Sequence, residues 1–140
     1  FSKLKKQNPS GRHGQSNAVE MMAAGEIELF VGAYNYLVEQ KKQEGAPVEW
    51  IPLEPVMAKS NAVAVASHAP HPNAAKLFAD FMLSVDGQTV LSERNMIPAH
   101  PDVEANPPSL GKGFDSLKVD SASVLDETDK WQSILDGLIQ

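Results

Sequence analysis

The segment His68–Gln88, HAPHPNAAKLFADFMLSVDGQ, encodes two consecutive helices and the break between them. Pro72 fits a first helical turn, where its missing N–H costs nothing. Ala74, Leu77, Phe78, Phe81 and Met82 recur at helical spacing, and Lys76 and Asp80 fall on the other face. The spacing predicts a packed apolar stripe. Ser84 reads as an N-cap, with Asp86 in the following first turn near the positive end of the helix dipole.

Upstream, NPSGRHG at residues 8–14 is turn-rich. Asn17 and Glu20 read as a variant capping box for a short helix with Ala18, Met21 and Met22 on its buried stripe, ended by Gly25. Ile27, Leu29 and Val31 alternate with Glu28 and Phe30, which predicts a strand. Tyr34, Leu37 and Val38 open a helix that runs through EQKKQE to Gly45. Val48–Leu53 reads as a second strand. AVAVA at residues 62–66 reads as a third, buried on both faces. Downstream, Ile97–Pro101 must be extended, because each proline disfavours helix in the residue before it. Residues 104–123 read as loop with a short strand at Leu117–Val119. Trp131, Ile134, Leu135, Leu138 and Ile139 predict a terminal amphipathic helix.

Alternating helices and short strands place the chain in the α/β class. The 140 residues can bury one core, not two independent ones. With 42% hydrophobic and 21% charged residues the composition is that of an ordinary globular domain. A net charge of −6 argues against nucleic acid as a partner, since phosphate neutralisation needs clustered Lys and Arg. Lys3, Lys5 and Lys6 make the one basic cluster, and it reads as a solvated end. Cysteine is absent, which removes disulfides and thiolate metal sites. No apolar run reaches the ~20 residues of a membrane-spanning helix, so no membrane insertion is expected. A start at Phe1 without a signal peptide is compatible with a mature or truncated product and does not exclude export.

Four stretches, APHPNAAKLFADFMLS-x-x-GQ, MAAGEIELFVGAYNYLV (Met22–Val38), GAPVEWIPLEP (Gly45–Pro55) and IPAHPDV (Ile97–Val103), occur in one order and span roughly residues 18–103. Together they resemble the C-terminal part of bacterial extracellular, or periplasmic, solute-binding proteins of ABC transporters, the ferric-iron type above all. His100 stands where that family more often has arginine. The resemblance implies a two-lobed type 2 periplasmic-binding-protein fold, of which this chain supplies the C-terminal portion. Residues 1–53 would belong to the second lobe and 54–98 would return to the first. Residues 99–140 would form a C-terminal loop and helix assigned to neither lobe. It also implies a periplasmic or extracellular, lipid-anchored or free, non-enzymatic protein that docks on an ABC permease. Fe(III) with a synergistic anion would be the transported ligand, without an organic cofactor. Thiamine, polyamine or phosphonate binding, or a sensory input domain, is the alternative. A chain lacking the first lobe is expected to leave apolar surface uncovered at AVAVA or at Phe78 and Phe81, and so to dimerise or exchange segments.

The candidate ligand residues follow from the same resemblance. Tyr34 and Tyr36 lie past a predicted strand end at a helix entrance, where ligands gather in open α/β folds. Iron-binding relatives place tyrosines at the corresponding strand end. A phenolate is a hard anionic donor, and a bound cation lowers a phenol's pKa from ~10. Asn35 separates the two rings, and residues two apart on a helix do not share a face. Both tyrosines therefore serve only if the segment is not yet helical; otherwise one packs and the other is exposed. Arg12 and Ser16 sit in the loop SGRHGQS before a helix N-terminus, a natural anion site, and otherwise form a solvated loop with a cap. His68 and His71 are HxxH in spacing, but Pro70 and Pro72 prevent the helix that would align them. No G-x-S-x-G, H-E-x-x-H or phosphate-binding glycine loop is present, and the glutamates read as a solvated acidic surface.

Overall fold

The structure, a computed structural model, describes residues 2–119 and 125–138. In chain order it contains α1 (Ser2–Lys5), α2 (Gln15–Ala23), α3 (Asn35–Gln43), β1 (Val56–Ala58), α4 (Pro72–Leu83), α5 (Val85–Glu93), a 3-10 turn (Pro108–Leu110), β2 (Ser116–Lys118) and α6 (Thr128–Leu138). The class is mixed helix and sheet. β1 and β2 pair in parallel, with Val56 opposite Ser116, Met57 opposite Leu117 and Ala58 opposite Lys118. The short strand expected at Leu117–Val119 is present one residue earlier.

The helix pair forms as its residues dictate. Pro72 opens α4. Ser84 is extended between the helices, and its hydroxyl donates to the Phe81 carbonyl (2.7 Å) and accepts from the Gly87 N–H (3.2 Å). The chain turns so tightly here that a Cβ on Gly87 would lie 2.1 Å from the Phe81 oxygen. The stripe of α4, however, is not packed. α4 has no buried residue, and Leu77, Phe78 and Phe81 are exposed, Leu77 by 71%.

α5 is anchored instead by polar side chains. The buried Gln88 donates to the Met82 carbonyl (2.7 Å) and accepts the Ala99 N–H (2.6 Å). Ser92 donates to the Glu104 carbonyl and Asn95 to the Asn106 carbonyl. These bonds satisfy the backbone of an irregular stretch that has no ladder to do so. The GQ and IPAHPDV motifs are therefore one structural unit, joined by Gln88 and Ala99.

The apolar core lies between α2 and α3. Val19, Val38 and Val48 are buried together, with Met22, Phe30, Leu37 and Trp50 packed against them. Each of α2, α3 and α5 ends with paired backbone bonds onto its last turn around a residue of positive φ. These are Gly25 (+77°), Gly45 (+93°) and Asn95 (+60°).

Four further expectations fail. Residues 27–31 form no strand, and Leu29 and Val31 are exposed. Residues 48–53 form none either; the strand comes later, at Val56. AVAVA is irregular, with Val65 half-buried and the rest exposed. A strand needs a partner to satisfy its backbone, and among the described residues only β1 and β2 find one. Lastly, α2 starts at Gln15 behind Gly14 without a side-chain cap, so Asn17 caps nothing. Glu20 instead pairs with Lys41 of α3 at 2.7 Å. Of the predicted α2 stripe, Ala18 is buried and the two methionines are half-buried; Val19 completes it. In α6, Leu138 is buried, whereas Ile139 lies outside the described residues.

Two outcomes follow. Gly87→Ala forces a backbone overlap and should destabilise by about 1–3 kcal/mol in urea unfolding; an unchanged midpoint would contradict the crossing geometry. Glu49 has its carboxyl held below its ordinary 4.5 by the hydrogen bond from Lys42 and then by the Trp50 N–H. A depressed carboxyl stabilises above its unfolded pKa and loses that contribution as pH falls through the folded one. The effect is small at an exposed pair. Melting temperature should drop slightly more steeply below about pH 4.5 in the wild type than in Glu49→Gln.

Candidate functional site

α2 and α3 pack against each other, and the turn between them carries the two tyrosines. Tyr34 has extended backbone (φ −72°, ψ 121°) and stands as the N-cap of α3, while Tyr36 lies in its first turn. The i, i+2 spacing therefore does not splay the rings. They stack, with centroids 5.8 Å apart and planes inclined by 15°. Tyr34 is 43% exposed and Tyr36 half-buried. Two phenols thus lie side by side at the surface.

The turn is mounted from two directions. On one side, the Gln15 side chain of α2 donates to the Gly32 carbonyl (3.1 Å) and accepts the Tyr34 N–H (3.3 Å). On the other, Asn35 donates to the carbonyl of the fully buried Leu110 at 3.0 Å. Asn35, which interrupts the tyrosines in sequence, is thus the residue that fixes them to the C-terminal part of the chain. Gln40, one turn further, donates to the Arg94 carbonyl at the end of α5 (2.8 Å).

Ser16 follows Gln15 in the first turn of α2 and is exposed, so it lies on the element clamped to the tyrosine turn. Arg12 is exposed in the irregular segment before α2, and among the described residues no hydrogen bond or ion pair joins it to the tyrosines. The structure brings Tyr34 and Tyr36 together; Ser16 and Arg12 are both exposed, and among the described residues no hydrogen bond joins either of them to the pair. Gln15 and Asn35 were not legible as site residues. Both are ordinary amides whose partners lie far along the chain, and an Asn at a helix start between two aromatics was the one available signal.

The other candidates have structural roles. His68 bonds to Ser67 at 2.9 Å, and His71 caps the start of α4 without a side-chain bond. His100 accepts the Asp102 N–H through Nδ1 (3.2 Å), which closes the turn in IPAHPDV. Among the described residues no group of three or more His, Asp or Glu side chains is placed to hold a metal. Trp50 donates to the buried Glu39 at 3.4 Å and meets Phe114 edge-on at 6.0 Å. This contact joins the approach to β1 with the approach to β2.

Two surface depressions, of about 390 and 500 Å3, are lined by residues 97–112 and by residues 22–28 with 47–49. Neither contains a tyrosine. The stacked pair stands on an open face, outside both depressions. No helix among the described residues is long and apolar enough to cross a membrane.

Searches of the curated proteins and of the solved structures return no match. The family model described as bacterial extracellular solute-binding protein matches residues 1–94, which include α2, the tyrosine turn, α3 and the helix pair. The chain belongs to the bacterial extracellular solute-binding protein family.

Proposed function

We propose that the chain is the solute-binding component of a bacterial ABC importer and that its cargo is ferric iron. The observation that carries this reading is the parallel Tyr34–Tyr36 stack on an open face. Two phenol oxygens are hard donors, of the class that suits a highly charged cation over a soft one. Each loses its proton on binding, so affinity rises with pH. The first turn of α2 is joined to the tyrosine turn by the Gln15 side chain, and Ser16 is the next residue of that turn. A synergistic anion would sit there, at the positive end of the helix dipole, with Arg12 drawn in as its counter-charge.

A one-sided site calls for a second wall. In this reading, residues 1–53 supply one wall of an interlobe cleft, and residues 54–98 pass to the other lobe. The approaches to the parallel strands β1 and β2, tied at Trp50 and Phe114, serve as the crossing segments about which the lobes close. The closed form then docks on the permease, in a periplasmic or extracellular setting. The uncovered Leu77, Phe78 and Phe81 of α4 belong to the surface that the rest of a two-lobed molecule would bury. In this chain they should drive self-association or segment exchange.

Titration with ferric citrate under visible spectroscopy tests the cargo. The full-length protein should develop a tyrosinate charge-transfer band, lost in Tyr34→Phe or Tyr36→Phe. A protein that binds another solute yet gives no band with iron would overturn the ferric assignment and leave the family unaffected. For assembly, light scattering should show dimers of the 140-residue chain that dissociate in Phe78→Lys. A clean wild-type monomer would mean that the exposed α4 face needs no cover.

A further inference from the structure

We propose that Gln15 is the positioning residue of the tyrosine pair: its side-chain amide, acting on the backbone of residues 32–34, holds the two phenols in register. The carbonyl side of Tyr34 is fixed by α3 itself, since the Leu37 and Val38 N–H groups bond to it. Tyr36 is fixed by the helix and by the Asn35 bond to Leu110. What remains free is the N-terminal side of Tyr34. Val31, Gly32 and Tyr34 are exposed, and Gly32 has a positive φ of 85° with open space around its Cα. Packing acts on this side only through Ala33, which lies against the core of Val19, Val38 and Val48. Gln15 adds the direct hold on either side of it, because one amide both donates to the Gly32 carbonyl and accepts the Tyr34 N–H. That two-point grip fixes the direction in which the Tyr34 ring leaves the backbone, and so its stacking on Tyr36.

The consequence for ligand binding rests on the reading of the tyrosines as ligand groups. Groups that orient a metal's ligands without touching the metal are worth roughly 10- to 100-fold in affinity. A donor pair misaligned by loss of Gln15 should lose affinity on that scale while the fold persists.

The chain holds two tyrosines, so selective tyrosine labelling gives an NMR spectrum of this pair alone. In the wild type, a ring-to-ring Overhauser effect between Tyr34 and Tyr36 is expected. Gln15→Met keeps side-chain length and helix propensity but removes both bonds; it should abolish that effect with helical circular dichroism unchanged. Gln15→Glu keeps the acceptor for the Tyr34 N–H but replaces the donor to the Gly32 carbonyl by a carboxylate oxygen, and should weaken the effect. A ring-to-ring effect that persists at wild-type strength in Gln15→Met overturns the proposal. The same samples titrated with ferric nitrilotriacetate should show binding weakened roughly 10- to 100-fold in Gln15→Met. If the wild type, with one wall of the site, binds no ferric nitrilotriacetate, the ring contact alone decides the role of Gln15.

Discussion

Backbone outside regular structure has to find hydrogen-bond partners, and in this chain side chains rooted on helices supply them. The sheet has only two strands of three residues, and long stretches on either side of it are irregular. Gln15 serves Gly32, Asn35 serves Leu110, Gln40 serves Arg94, Gln88 serves Met82 and Ala99, Ser92 serves Glu104, and Asn95 serves Asn106. Among the described residues, no buried side-chain nitrogen or oxygen lacks a partner. An unmade bond at a buried group costs about 1–3 kcal/mol, so the part-buried bonds of Asn35, Gln88, Ser92 and Asn95 each weigh as much as a core methyl group or more.

This constraint gives the site its form. α3 is held to the α5 end by Gln40 and to the 3-10 turn by Asn35, and α2 is held to the α3 entrance by Gln15. The tyrosines stand where these attachments converge. They stack because Tyr34 stays extended as the cap while Tyr36 has entered the helix, which turns an unfavourable spacing into a parallel pair. The same logic explains why the helix pair is distinctive in sequence without being the core. Ser84, Gly87 and Gln88 set a tight crossing and an anchor, and the apolar face of α4 is left exposed.

The helical elements were legible because their signals are local. Pro72, the Ser84 cap and the glycines at 25 and 45 each act within one turn, and all four fall where expected. Strands were the weak point. Leu29, Val31 and the AVAVA run have β-type sequence, but a strand exists only if another lies beside it, and no local pattern reveals the partner. β2 was found near its predicted place because Leu117 does have one, Met57. At the site, the tyrosines were visible as residue types. Their stacking depended on a cap position, and their mounting depended on bonds that span 17 to 75 residues. Periodicity carries no information over such distances.

Membership of the solute-binding family supplies the kind of activity, and the tyrosine turn is the place we propose for it. Anomalous diffraction at the iron edge, from crystals of the protein grown with ferric citrate, measures that place directly. One strong peak is expected within coordination distance of the phenol oxygens of both Tyr34 and Tyr36, beside the first turn of α2. An iron peak elsewhere in the protein, or a different solute held by residues that exclude both tyrosines, would contradict it.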